Sequence, residues 1–257
     1  MKKKETTVQL SDFPAALHPY LTCAHLYEST SNPLTPVLYC DSGFYIKQGD
    51  MGSLAQEAAM DRLFAQRSLG PAVELYLSGE RDYLVTRAVR GESLLHYQDD
   101  PKRLCEALAG ALRQLHNQPA ADVPLSAAHR YYLQFSAGSA PEKLNPRMKL
   151  ERFPVSSPEE GWALIQAHRE QLCADTLIHG DACLPNIFLE DWQFSAFIDC
   201  AQAGLGNRHC DLYWALWSMQ YNLKTAQYSD YLLDAYGREG IDPELLRAIS
   251  AMEMAEC

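Results

Sequence analysis

The chain has 257 residues, 47% hydrophobic and 21% charged, which is the composition of a folded globular protein and excludes a disordered chain, a collagen-like fibre and a small stapled scaffold. Its net charge of −11, from 22 basic and 33 acidic residues, argues against a nucleic-acid binder, which needs a basic footprint, and suits a small cationic substrate. No apolar run approaches the roughly 20 residues that cross a bilayer, and the basic start leads into polar sequence unlike a signal peptide, so the expectation is a cytoplasmic protein with no membrane and no obligate protein partner.

The first third reads as strands around one helix. Pro36–Cys40 and Gly43–Lys47 are short β-branched or aromatic runs separated by Asp41-Ser42, a hairpin signal. A helix is expected over Ser53–Gln66, with Ser53 as its N-cap and Gly70-Pro71 beyond its end. Val73–Leu77 and Tyr83–Thr86 read as two more strands around the turn at residues 78–82. After Gly91 the texture changes. Leu104, Ala107, Leu108, Ala111, Leu112 and Leu115 mark one face of a helix over Arg103–His116. Residues 136–158 read as a loop-rich insertion, Glu159–Leu172 as a helix, and Ile187–Leu189 with Phe194–Ile198 as a strand pair. From Asp211 the chain is mostly helical, with a break at Gly237–Pro243. Eight cysteines form no CxxC pair, so zinc ribbons and redox dithiols are not expected and free, packed thiols are.

The chemistry concentrates in Ile178-His-Gly-Asp-Ala-Cys-Leu-Pro-Asn-Ile-Phe-Leu189 and in Phe197-Ile-Asp199. A hairpin with one acid before it and one after brings Asp181, Asn186 and Asp199 to the same end of a strand pair. Phosphoryl transfer uses such a set: one carboxylate orients or deprotonates the attacking hydroxyl, while an amide oxygen and a second carboxylate hold Mg²⁺ against nucleotide phosphates. His179 suits a loop-holding role better than proton transfer.

This pattern, His179-x-Asp181-x₄-Asn186 followed by Ile198-Asp199, resembles the signature of the aminoglycoside phosphotransferases, relatives of the protein kinases. The stretch His-Gly-Asp-Ala-Cys-Leu-Pro-Asn is most similar to the 3′-type enzymes. The resemblance reaches back to Lys47, Glu57 and Gly91 and forward through Gly204, Arg208 and Asp211-Leu212. It implies an α+β, two-lobed protein-kinase-like fold: an antiparallel sheet with one helix in a nucleotide-binding lobe over residues 1–88, and a larger, mainly helical lobe over 89–257 carrying the catalytic loop and substrate site. It implies ATP as donor (with GTP as an alternative), Mg²⁺ as cofactor and a hydroxyl of an aminoglycoside as acceptor, the 3′-hydroxyl first; choline, a sugar or a macrolide is the alternative acceptor on the same fold, and a non-catalytic nucleotide binder the remaining one. By residue, it implies Asp181 as the catalytic carboxylate, Asn186 and Asp199 as metal ligands, Lys47 on the phosphates with Glu57 holding its ammonium, and the backbone of Arg87 and Val89 on the adenine edge. The glycine-free loop 28–36 offers backbone N–H groups of Ser31 and Asn32 to a phosphate.

The sequence departs from the family pattern at Ala201 and Gln202, where Gly and often Arg are usual, and at Asn207, commonly Asp. These lie outside the core motif and bear on the acceptor. Acids for a cationic acceptor are offered by Glu142, Glu151, Glu159 and Glu160, and by the tail, where Glu253, Glu256 and the carboxylate of Cys257 are the favoured candidates.

Overall fold

The computed structural model describes residues 4–22, 25–29 and 35–256, and the chain divides into two compact units, Met1–Val89 and Arg90–Cys257. In the first unit six strands, β1 (Lys4–Thr6), β2 (Leu26–Glu28), β3 (Val37–Cys40), β4 (Phe44–Asp50), β5 (Val73–Ser78) and β6 (Arg81–Arg87), form one antiparallel sheet in the order β1-β2-β3-β4-β6-β5. Helix α1 (His18–Leu21) and helix α2 (Ala55–Gln66) accompany it. The period of two along β4 and β6 sorts their side chains onto opposite faces. The cross-strand partners Ile46 and Val85 pack with Leu17, Leu21 and Leu26. One residue on, Leu84 packs with Leu54 and Ala58 on the α2 side, and its partner across the ladder is Lys47.

Two details differ from the sequence expectation. Strands β1 and β2 were not anticipated, because three-residue strands are too short to show alternation. Nor does Ser53 cap α2: the N-cap is Leu54, without a side-chain bond. The turn that leads into the helix is held from the sheet, where buried Asp82 accepts from the N–H of Gly52 at 2.9 Å and of the N-cap Leu54 at 3.0 Å. Burial alone would push the Asp82 carboxyl up, but bonds from Ser78, Gly52, Leu54 and Tyr76 prevail and hold it below its ordinary value.

The second unit is mainly helical: α3 (Pro101–His116), α4 (Ala127–Ser136), α5 (Pro158–His168), α6 (Arg208–Leu223), α7 (Ser229–Tyr236) and α8 (Pro243–Met254). Leu104, Leu108, Leu112 and Leu115 of α3 are fully buried, as the spacing predicts, and α3 packs on α7 while α5 packs on α8. Helix α4 was not read from the sequence, and α5 ends at His168 in a 3₁₀ turn rather than reaching Leu172. Short strands carry the polar chemistry. β7 (Glu92–Ser93) and β11 (Gln193–Phe197) flank β10 (Ile187–Glu190), while β9 (Thr176–Ile178) pairs with β12 (Gly204–Gly206). Gly91 sits at φ +80° with the place of a Cβ only 1.9 Å from the Leu189 carbonyl oxygen, so only glycine lets the chain enter β7 this close to β10. Finally β8 (Lys143–Leu144) pairs with β13 (Ala255–Glu256), fastening the 136–158 segment to the tail.

Among the described residues no helix is long and apolar enough to cross a membrane. Cys105, Cys173, Cys183, Cys200 and Cys210 are free thiols, whereas Cys40 is disulfide-bonded, against the expectation for that residue.

Candidate active site

In the first unit, Lys47 Nζ donates to Glu57 Oε1 at 2.6 Å. The pair forms because β4 turns Lys47 toward the α2 face, and Glu57 stands in the first turn of that helix. Glu57 is buried, so this is not a solvated surface pair: either charge, left alone, would carry an uncompensated desolvation cost. At the end of β6 the Arg87 N–H is committed to the sheet, donating to the Ala72 carbonyl at 2.9 Å, and Ala88 likewise donates to Gly43. The Arg87 guanidinium pairs with Glu74 at 2.7 Å. Of the two residues expected at an adenine edge, only Val89 therefore has an N–H without a partner among the described residues. Ser31 and Asn32 lie outside the described residues.

In the second unit, Asp181 and Asn186 meet directly. Asn186 Nδ2 donates to the Asp181 main-chain oxygen and to Asp181 Oδ2, both at 3.0 Å. This commits the amide nitrogen of Asn186 and one oxygen of the Asp181 carboxylate to each other. Ile198 donates its N–H to the Asn186 carbonyl at 2.9 Å, which brings the next residue, Asp199, back to the loop. Asp199 sits in the left-handed region at φ 60°, ψ 53°, a conformation Asp tolerates because its short polar side chain can bond locally. His179 Nε2 contacts the Ile198 carbonyl at 2.8 Å and its Nδ1 accepts from the Asp181 N–H at 3.3 Å. With the proton on Nε2 a neutral ring satisfies both, which makes His179 a strut between loop and hairpin.

Beneath the loop lies a carboxylate whose role sequence reasoning missed. Asp211, in the first turn of α6 and fully buried, accepts from the N–H of His179 at 2.8 Å and of Gly180 at 2.7 Å. Its Oδ2 also pairs with His116 Nε2 at 3.1 Å, and His116 Nδ1 contacts Tyr236 Oη at 2.7 Å. Asp211 belongs to the run that carries the family resemblance, but nothing in its spacing says that it holds backbone. His116 offered still less, being a lone His at the end of an apolar helix. Gly180, at φ +81°, lies so close to the Gln202 carbonyl that a Cβ would stand 2.4 Å away. Asn207, one of the departures, caps α6, accepting from the His209 N–H at 3.0 Å.

The donor set suits Mg²⁺. Asn186 Oδ1 and the Asp199 carboxylate are hard oxygens, and among the described residues no three His, Cys, Asp or Glu side chains gather into a metal cage. Mg²⁺ is commonly held by one or two protein ligands, with phosphates and water filling the rest.

Of the tail acids, Glu253 belongs to α8 and is half-buried; Tyr132 Oη donates to its Oε1. Burial pushes its carboxyl up to about 7, against the Tyr132 bond, and the nearby charge of Asp181 adds to the rise. Glu256 contributes backbone to β13, and Cys257 lies outside the described residues. Glu160 is engaged by Arg247 and by the Ser156 N–H. The raised carboxyl has a signed consequence. The folded protein favours protonated Glu253, so its contribution to stability is present below the ordinary value of 4.5 and lost as pH rises through about 7. Glu253→Gln should therefore gain thermal stability relative to the parent between pH 5 and pH 8; a melting-temperature difference flat across that range would contradict the assignment.

Residues 46–249 match the model of the phosphotransferase enzyme family. A probable aminoglycoside 3′-phosphotransferase of Lactococcus lactis subsp. lactis (strain IL1403) is 38% identical over 256 residues, covering 98% of each chain. Among solved structures, an aminoglycoside phosphotransferase from Streptomyces rimosus superposes with a TM-score of 0.70 at 21% identity, over 97% of this chain and 100% of its own. A second, an aminoglycoside phosphotransferase solved with GDP and kanamycin, gives 0.66 at 15% identity, over 95% and 88%. At these identities the solved structures speak for the fold, which is the two-lobed α+β arrangement that the sequence resemblance implied.

Proposed function

This chain belongs to the phosphotransferase enzyme family, and on that footing we propose that it transfers the terminal phosphoryl group of ATP, with Mg²⁺, to a hydroxyl of an aminoglycoside, the 3′-hydroxyl first, and so confers resistance from the cytoplasm. The observation that carries the reading is the Asp181–Asn186 arrangement: one carboxylate oxygen tied off by an amide, the other left for a substrate hydroxyl, and the amide oxygen left for a metal. The 38% relative, whose name gives a 3′-phosphotransferase, supports the acceptor and the position.

Each residue then has a chemical task. Asp181 accepts the hydrogen bond of the acceptor hydroxyl, fixes its direction of attack and takes its proton as the new P–O bond forms and the bond from the γ-phosphorus to the ADP leaving group breaks. Asn186 Oδ1 and the Asp199 carboxylate would hold Mg²⁺, which would supply charge neutralisation along the phosphates. Lys47 binds the phosphates, and Glu57 keeps its ammonium from swinging away. The Val89 N–H meets the adenine edge, where Arg87 has only its carbonyl left to offer, and the Ser31 and Asn32 backbone is assigned to the phosphates. Glu253, Glu256 and the Cys257 carboxylate are assigned to the ammonium groups of the acceptor, in keeping with the net charge of −11. Asp211 acts from below by fixing the backbone on which Asp181 stands.

The test is a coupled ADP-release assay across kanamycin, neomycin, choline and a macrolide, with ATP and then GTP. Turnover is expected with the first two acceptors and ATP, and should vanish in excess EDTA and return with added Mg²⁺. Turnover only with choline or the macrolide would move the acceptor to another small alcohol. Undiminished turnover in EDTA would remove the metal from the mechanism.

A further inference from the structure

Helix α6 carries an aromatic ladder that the phosphoryl-transfer machinery leaves unused. Trp214, Trp217 and Tyr221 recur at spacings of three and four and so share one helix face. Tyr213, Ala215, Leu216, Ser218 and Met219 are buried, whereas Trp214 and Trp217 are half-buried and Tyr221 is 57% exposed. The rings form a continuous surface: Trp214 and Trp217 meet edge to face with centroids 5.6 Å apart, and Trp217 stacks on Tyr221 at 5.1 Å and 15°. An exposed apolar surface of this kind, rimmed by polar groups, marks a binding site more often than bare surface.

Its place in the unit narrows the ligand. Ser218 Oγ accepts from the Leu184 N–H at 3.0 Å, and Cys183 Sγ lies 4.0 Å from the Trp214 carbonyl. The inner end of the ladder is thus bonded to the loop two and three residues past Asp181. One side is bordered by the 147–151 segment, where Trp217 Nε1 donates to the Arg147 carbonyl at 2.9 Å and Gln220 bonds Lys149 and Glu151. At the outer end Lys224 Nζ stands 4.2 Å over the Tyr221 ring, so the ladder already takes one ammonium from its own chain.

An amino sugar presents an apolar CH face and an ammonium edge, and an indole attracts both. We infer that Trp214 and Trp217 form a stacking wall of the acceptor site, on which a ring of a polycationic aminosugar lies with its CH face against the indoles. Lys224 occupies the outermost ring, so the ligand meets the two tryptophans. The inference rests on the aminoglycoside reading and adds the residues that choose among acceptors.

The experiment uses the full chain with kanamycin as acceptor. Trp214→Leu should raise the kanamycin KM by about 3- to 30-fold, leave kcat and the ATP KM within about twofold, and be largely rescued in Trp214→Phe. Trp217→Leu should act in the same direction, but its indole also holds the Arg147 carbonyl, so Trp214→Leu decides. A folded Trp214→Leu enzyme with an unchanged kanamycin KM overturns the wall and leaves the phosphotransferase reading standing. Failure of the parent enzyme to phosphorylate any aminoglycoside overturns that reading and the wall with it. Should Trp214→Leu not fold, the double variant Trp162→Phe/Trp192→Phe leaves only the two ladder tryptophans as reporters. Kanamycin titrated without nucleotide should then change their emission saturably; no change overturns the wall.

Discussion

Asp181→Ala should bind nucleotide as the parent does and turn over about 10²–10⁴-fold more slowly. The loss is expected to be chemical because the loop does not depend on this side chain. Asn186 Nδ2 bonds the main-chain oxygen of residue 181 as well as the carboxylate, and Asp211 holds the N–H groups of His179 and Gly180. All of the main-chain bonds survive the substitution. The check is kcat by ADP release beside nucleotide affinity by calorimetry and the melting temperature. Near-parental turnover in a folded Asp181→Ala enzyme would take this carboxylate out of the mechanism.

Asp211→Ala has the opposite profile. It removes the acceptor of two buried backbone N–H groups and the partner of a buried imidazole. Breaking a buried charged pair or leaving its donors unsatisfied costs about 3–5 kcal/mol, a large share of the roughly 5–15 kcal/mol that hold an ordinary domain together. Urea unfolding should show that loss, with activity falling because Asp181 no longer stands on a fixed backbone. Asp211→Asn keeps one acceptor oxygen and should fall between. An Asp211→Ala protein as stable and as active as the parent would mean that the loop is held by its side-chain contacts alone.

The two substitutions also separate what could be read in the chain from what could not. That Asp181 meets Asn186 and that the chain returns to them just before Asp199 is legible because all three belong to one local hairpin. Lys47 and Glu57 are ten residues apart, and strand followed by helix brings such residues together without distant help. Asp82 and Asp211 act instead on backbone N–H groups 28 to 32 residues away. Such a partner has no sequence signature, because any residue can supply it. The same reason hid how the entry to α2 is held, by Asp82 rather than by the expected cap Ser53. The three-residue strands β1 and β2 escaped because alternation needs more residues than they have, whereas the six leucines and alanines of α3 repeat long enough to be unmistakable.

The committed N–H of Arg87 matters for inhibitor chemistry. Purine-mimicking compounds are commonly built to engage adjacent main-chain donors and acceptors along an extended segment. Here the Arg87 and Ala88 donors are spent on Ala72 and Gly43, so a scaffold that demands two N–H donors from residues 87–89 would have to tear one out of the sheet edge and lose more than it gains. On the proposed adenine-edge role of these residues, a scaffold with a single acceptor matched to Val89, drawing its remaining affinity from shape, is expected to bind better than one that needs two donors.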